Sequence, residues 1–205
     1  MTQRDEAQAQ KQAIRLLAHA RRAGQPDPEA TSEKITCRIV LLPPYAAART
    51  LLAYVSFRSE VSTRGLLLRA WDDGKRLAVP YCVGDQLELF LLERLDELAP
   101  GTLGILEPKE GLRSLAARRV QPGELDLIVV PGLAFDPQCG RIGYGKGYYD
   151  RLLRQVPART AVVGAAFQCQ MFPQVPVLDH DVRLGWVVTE SDVYQRAEGG
   201  RGKDE

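Results

Sequence analysis

The stretch DLIVVPGLAFDPQCGRIGYGKGYYDRLL, residues 126–153, decides the fold. It opens on an apolar, β-branched run, residues 126–130 (DLIVV), which Pro131 and Gly132 stop. Such a run is the mark of a buried strand. A long glycine-rich loop follows, and residues 148–156 then turn to helical spacing. Strand, glycine loop and helix in this order belong to an open α/β sheet, where ligands bind at the carboxyl ends of the strands. Gly140, Gly143, Gly145 and Gly147 let the backbone come close to an anion. The helix start offers unpaired N–H groups and a positive dipole end, and Arg141 and Lys146 can neutralise phosphate charge. Residues 140–147 (GRIGYGKG) fall one position short of the phosphate-loop pattern: Gly147 stands where a hydroxyl would hold Mg²⁺. Asp150, in the first turn of the helix, is a hard oxygen ligand that can take its place. The same residues also read as a flexible connection whose Asp150 merely complements the helix dipole.

Outward from this stretch, strands and helices alternate. Residues 4–22 read as an amphipathic helix, with Ala9, Ala13, Leu16, Leu17 and Ala20 recurring at helical spacing and Lys11 and Arg15 on another face. Gly24, Pro26 and Pro28 end it. Residues 31–42 read as a helix capped by Thr31 or Ser32, or as a strand, closed by Pro43 and Pro44. Residues 51–56, 76–80, 87–92, 161–165 and 186–189 read as strands; residues 62–71 and 110–118 read as helices. The pattern predicts one α/β domain over residues 1–196, three layers around a mostly parallel, Rossmann-like sheet. The glycine-rich, charged tail 197–205 (AEGGRGKDE) is expected to be disordered.

Composition narrows the function. With 27 basic and 26 acidic residues among 205, the net charge of +1 gives no general field for nucleic acid or an anionic membrane. Cys37, Cys82, Cys139 and Cys169 form no C-x-x-C pair, and two histidines complete a set too sparse for structural zinc. Scattered thiols fit a reducing compartment and positions in or near the core. The N-terminus lacks the apolar region of a signal peptide, and no apolar run approaches the roughly 20 residues of a membrane span. A cytoplasmic monomer is expected.

Pro131-Gly132-x-Ala134-Phe135-Asp136 followed by Arg141-x-Gly143-x-Gly145-x-Gly147-Tyr148-Tyr149-Asp150 closely resembles the signature of 5-formyltetrahydrofolate cyclo-ligases. The likeness runs from about Lys11 to Thr189. Residues 11–15 (KQAIR) are similar to the family's K-x-x-x-R helix, residues 60–63 (EVST) to its E-x-x-T segment, and residues 104–108 (GILEP) to its G-I-x-E-P element. Ala166-Phe167-x-x-Gln170 and His180-Asp181 match the closing motifs. The chain departs from the pattern at three places: Cys139 where glycine is usual, Leu103 where an aromatic is common, and Gly185 for an aspartate. If position 139 needs a positive φ, either Cys139 is strained or the turn has shifted to Gly140.

The resemblance implies closure of a ring on 5-formyltetrahydrofolate at the expense of ATP, with Mg²⁺. It assigns Lys11, Arg15, Arg141 and Lys146 to phosphate charge. Gly143, Gly145 and Gly147 supply backbone approach; Tyr144, Tyr148 and Tyr149 flank the nucleotide, and Tyr144 and Tyr148 wall the gap to the folate. Val55 and Glu60 contact the folate, and Asp150 and Asp181 hold Mg²⁺. Arg141, Lys146 and Tyr148 are the expected catalytic set. Tyr149 reads equally as a packing residue, and the Lys11–Arg15 pair taken alone reads as a solvated helix face. Two rival functions keep the fold: an ATP-binding paralogue acting on another substrate, as in thiamine salvage, and a non-catalytic binding module. Glu60 and Thr63 favour folate over the first. The absence of a basic tract and the intact charged residues argue against the second.

Overall fold

The computed structural model describes residues 3–101 and 104–197. Leu103 and residues 198–205 of the tail lie outside them. The chain begins with α1 (Gln3–Ala23), α2 (Pro28–Val40), α3 (Pro43–Ala47), β1 (Thr50–Ala53), α4 (Arg64–Asp72), β2 (Arg76–Val83) and β3 (Gln86–Leu91). It continues with β4 (Leu98–Pro100), β5 (Leu106–Pro108), α5 (Glu110–Arg113), β6 (Arg119–Val120), β7 (Leu127–Val130), β8 (Ala134–Phe135) and β9 (Arg141–Ile142). The last elements are α6 (Tyr148–Leu153), β10 (Ala161–Ala165), β11 (Trp186–Val188) and β12 (Val193–Gln195).

Eight strands form the central sheet in the order β12-β11-β10-β7-β1-β2-β3-β6. The five inner strands from β11 to β2 are parallel; β12 and β3 are added antiparallel at the two sides, and β6 pairs antiparallel with β3. The alternation of side chains along each strand sorts the core into two layers. Leu51, Ala53, Leu77, Val79, Leu127 and Val129 pack on one face against Ile35 and Ile39 of α2 and Leu66, Leu67 and Ala70 of α4. Leu52, Ala78, Ile128 and Val130 pack on the other against Leu152 and Leu153 of α6. The expected three-layer α/β domain is the one found. Burial of each large aliphatic side chain here contributes roughly 1.5–3 kcal/mol, so a charge placed at Val129, which is 0% exposed, would break the sheet's centre.

After β1 the chain builds outward through β2 and β3, then returns to lay β7 on the other side of β1. The connections leaving the carboxyl ends of β1 and β7 therefore diverge, which opens a crevice at that end of the sheet.

Several local expectations change. Asp27, with φ 44°, caps α2 through a hydrogen bond from the Ala30 N–H, and Pro28 fills the first turn; Thr31 and Ser32 are buried inside the helix rather than capping it. The run 51–56 is a strand only through Ala53. The helix expected over residues 148–156 ends at Leu153, and that expected over 110–118 is one turn, Glu110–Arg113, followed by a 3₁₀ turn at Ala116–Arg118. The largest reversal is in α1. Leu16 and Leu17 are 67% and 47% exposed, whereas Lys11, Ala18 and Arg22 are buried. Ala18 and Ile14 pack with Leu133, Ala134, Ile142, Phe172 and Val175, a small third cluster away from the sheet. The four cysteines are unpaired; Cys139 is buried and Cys37 exposed.

Candidate functional site

Residues 54–63 after β1, residues 131–147 after β7 and the inward face of α1 meet at this end of the sheet. The segment after β7 is shaped by the small hairpin β8–β9. Asp136, 0% exposed, fixes its turn: one carboxylate oxygen accepts the Gly140 N–H at 2.7 Å and the other the Val175 N–H at 2.9 Å. Cys139 sits in this turn with φ 60°, and Gly140 is not among the positive-φ residues. Of the two alternatives for this turn, the unshifted one holds, with a side chain in the left-handed region. A Cβ at Gly140 would come within 2.7 Å of Val175, so packing requires that glycine. Gln170 ties the start of the segment by donating to the carbonyls of Gly132 and Leu133.

Residues 143–147 meet α1 through Arg15 and the segment after β1 through Glu60. Gly145 and Gly147 have φ values of 95° and 68°, which side chains rarely adopt. Gly147 is the N-cap of α6, a helix of six residues. So short a helix carries little dipole, and anion recognition falls to the loop backbone and cations. Arg15 donates to the Gly143 carbonyl at 3.0 Å. Lys146 is exposed and has no hydrogen-bond or ion-pair partner among the described residues. Arg141, only 4% exposed, donates from Nη2 to Asp150 at 2.9 Å and from Nη1 to the Pro131 carbonyl, while its Nε is buried without a partner.

The two acidic residues singled out for Mg²⁺ meet in this region. Asp150 accepts from Arg141 through Oδ2 and from the Val182 N–H through Oδ1 at 3.2 Å, which sets it beside the neighbour of Asp181. Asp181 is ion-paired with Lys11 and accepts the Leu178 N–H at 2.7 Å. Lys11 is thus a buried partner of the site and not a solvated surface charge. No group of three or more His, Cys, Asp or Glu side chains able to hold a metal occurs among the described residues. Two carboxylates fit Mg²⁺, which takes few protein ligands and completes its shell with water and phosphate oxygens.

Glu60 reaches the same crevice from residues 54–63. Its Oε1 accepts from the Tyr144 hydroxyl at 2.7 Å and its Oε2 from the Phe57 N–H at 3.0 Å. Burial raises its pKa; the bonds from Tyr144 and Phe57 and the charge of Arg22 oppose the shift. Tyr144 is 53% exposed, and partial desolvation together with the neighbouring Glu60 charge pushes its hydroxyl up to about 12. Val55 packs at the rim of the core below. Thr63 holds this loop by donating to the Tyr54 carbonyl and accepting the Ser56 N–H. Tyr148 points elsewhere: its hydroxyl donates to the Gly84 carbonyl in the β2–β3 turn, and Arg151 lies 5.3 Å from its ring. Tyr149 packs against both core layers beneath Arg141, in keeping with the packing alternative. Glu107 is buried and paired with Arg113, a structural position. A wide groove lined by Asp126, Arg159, Arg183 and Arg196 touches the site at Leu178, Asp181 and Val182.

Arg22 escaped the sequence reading. It is 3% exposed, on the same face of α1 as Lys11 and Arg15. The spacing of four and then seven residues along the helix is the signal that would have grouped the three.

Known proteins bear on this arrangement. The sequence model of the 5-formyltetrahydrofolate cyclo-ligase family matches residues 7–190. The chain is 33% identical over 187 residues to the 5-formyltetrahydrofolate cyclo-ligase of Escherichia coli K12, covering 88% of this chain and 100% of that one. It is 30% identical over 189 residues to that of Mus musculus, covering 88% and 89%. The NMR structure of Aquifex aeolicus 5,10-methenyltetrahydrofolate synthetase superposes with a TM-score of 0.78 at 31% identity, over 95% of this chain and 96% of the other. No helix among the described residues is long and apolar enough to cross a membrane. Sequence and fold agree: the chain belongs to the 5-formyltetrahydrofolate cyclo-ligase family.

Proposed function

We propose that this chain converts 5-formyltetrahydrofolate and ATP into 5,10-methenyltetrahydrofolate, ADP and phosphate, in the presence of Mg²⁺. The observation that carries the reading is the hydrogen bond between Tyr144 and Glu60. It joins the glycine loop, suited to phosphate, to the carboxylate suited to the N–H edge of a pterin, so two substrates can share one wall.

The chemical problem is a formyl amide, a poor electrophile. Transfer of the γ-phosphoryl group to the formyl oxygen gives an iminium phosphate. N10 of the folate then attacks the formyl carbon, the ring closes, and the C–O bond breaks with release of phosphate. No protein nucleophile is required; alignment and charge stabilisation are. Lys11, Arg15, Arg141 and Lys146 supply positive charge, and the unpartnered Nε of Arg141 is a donor awaiting an acceptor. Gly143, Gly145 and Gly147 admit the phosphates to the backbone. Asp150 and Asp181 would hold Mg²⁺, which when bound neutralises phosphate charge. Lys11 and Arg141 now pair with these same carboxylates, so the site's charges are balanced among themselves and can exchange partners with the nucleotide complex. Glu60 accepts pterin N–H groups, and Tyr144 and Val55 wall the folate. Tyr148, turned to the hairpin, shapes the loop's exit into α6.

The test is incubation with ATP, Mg²⁺ and 5-formyltetrahydrofolate while ADP and the methenyl chromophore are followed together. One ADP per ring closed supports the reading; ATP turnover that ignores folate refutes it. Glu60→Gln should raise the folate KM, at a cost in binding of about 1.5–3 kcal/mol, the worth of a hydrogen bond to a charged group, and Lys146→Ala should weaken ATP binding much more than folate binding.

A further inference from the structure

A guanidinium buried without a carboxylate partner needs an explanation, because desolvating a charge is costly unless something nearby repays it. Arg22 is such a group. It is 3% exposed, and its hydrogen bonds go to neutral acceptors: Nε to the Ser59 hydroxyl at 3.1 Å and Nη1 to the Gly132 carbonyl at 3.4 Å. These two bonds clasp the residue preceding Glu60 to the start of the segment after β7. The guanidinium carbon lies 5.7 Å from the centre of the Tyr144 ring, whose hydroxyl bonds Glu60. Arg22 therefore bonds the residue next to Glu60 in sequence and lies against Tyr144, one of the two groups that fix the Glu60 carboxylate, and no carboxylate among the described residues pairs with it.

We propose that Arg22 is a positioning residue for the folate: it holds the Glu60 carboxylate as an anion, aimed into the crevice, and thereby sets the affinity for the pterin edge. The inference rests on the reading of Glu60 as the pterin acceptor. Each carboxylate oxygen can accept more than one hydrogen bond, so Glu60 can keep Tyr144 and the Phe57 N–H and still receive two N–H donors side by side. That reception needs the ionised form. The titratable groups facing Glu60 are Tyr54 at the end of β1, Tyr144 on the glycine loop, Tyr149 on α6 and Arg22 on α1. Burial raises Tyr54 and Tyr149, and partial desolvation with the Glu60 charge raises Tyr144, so all three phenols stay neutral across the working pH range. The Tyr144 hydroxyl and the Phe57 N–H oppose the upward pull of burial on Glu60, and Arg22 is the cation that adds to them.

The sign follows. The pKa of Glu60 is raised, so folate affinity is lost as pH falls through a value above that of an ordinary glutamate. Removing the Arg22 charge raises it further, and the loss begins at higher pH. The experiment measures kcat/KM for 5-formyltetrahydrofolate across pH for wild type, Arg22→Gln, Arg22→Lys, Glu60→Gln and the double variant Arg22→Gln/Glu60→Gln. In Arg22→Gln the acid limb should move to higher pH, with the ATP KM little changed. Arg22→Lys should restore the limb. In the Glu60→Gln background, Arg22→Gln should add nothing to the folate KM. An acid limb unmoved in Arg22→Gln, or an equal KM penalty with and without Glu60, would overturn the inference and leave Arg22 a packing clasp. If Arg22→Gln does not fold, Arg22→Lys decides alone: a limb displaced despite the retained charge overturns it, and an unmoved limb with a few-fold higher folate KM supports it. A folate KM unchanged in Glu60→Gln would instead strike at the reading of Glu60 itself, and the role of Arg22 would fall with it.

Discussion

The glycine loop and helix α1 supply the same crevice by opposite means. The loop is irregular and tight: Cys139, Gly145 and Gly147 hold positive φ values, and Asp136 pins the turn from a fully buried position. Helix α1 is regular but turned outside in, with Lys11, Arg15 and Arg22 inward and Leu16 and Leu17 in water. In the loop, function is written in residue types adjacent in sequence. In the helix, it is written in which face is buried, and a buried face made of cations violates the rule by which helix orientation is ordinarily read. Local irregularity is therefore the more readable of the two.

The comparison breaks first at Lys11. Lys11→Ala strands Asp181, 13% exposed at its side chain, without its counter-ion, and should cost about 3 kcal/mol of stability in a denaturant titration. Lys11→Met with Asp181→Asn should recover most of that stability and none of the activity. Recovery of both would make the pair purely structural. On the loop side, Asp150→Asn should lower activity on the order of 100-fold and raise the Mg²⁺ concentration needed, as loss of a metal-holding group does. Combination with Asp181→Asn should cost less than the sum if both act on one ion. An unchanged Mg²⁺ requirement would reduce Asp150 to a counter-ion for Arg141.

Smaller effects sharpen the contrast. Alanine is ordinarily the more stable choice over glycine, yet at position 139 the order should invert. Cys139→Ala keeps the left-handed strain and loses the packing of the sulfur, whereas Cys139→Gly loses the packing and sheds roughly 1 kcal/mol of strain. Thermal melts of the two variants would measure the difference, and an alanine variant more stable than the glycine one would show that the turn relaxes. Last, Leu16→Gln and Leu17→Gln should each change stability by less than about 0.5 kcal/mol, as surface substitutions do. A larger loss in either would mean that this face is covered in solution.

The sheet was legible because DLIVV and its neighbours are short apolar runs between turn residues, and the glycine loop because its cations and glycines are contiguous. Strand direction at the edges was not. β3 follows β2 across Gly84 and Asp85, but only pairing reveals that β3 and β12 run against the inner strands and that β6, antiparallel to β3, runs with them. The two-residue strands β8 and β9 carry no period to detect. Glu60 entered through family resemblance; its meeting with Tyr144, 84 positions away, is a tertiary fact. Arg22 was passed over because a lone arginine near a helix end is ordinarily solvated. The position of Cys139 was recognised as unusual, but a positive φ at a thiol-bearing residue had to be seen in the backbone.

The outward leucines of α1 have a further consequence for how the protein breathes. A helix of 21 residues is docked chiefly by Ala18, part of Ile14 and the tethers of its cations. Little apolar surface is lost when it lifts away, so its opening is expected to be cheaper than global unfolding, which must also separate the sheet. Its backbone amides should then exchange with solvent earlier than those of β1 and β7. Any anion that engages Lys11 and Arg15 together should slow that exchange, because a ligand that binds only the closed form stabilises it by mass action. Helix α1 would thus serve as a built-in reporter: amide protection along its length would rise with site occupancy, even when no chemistry follows.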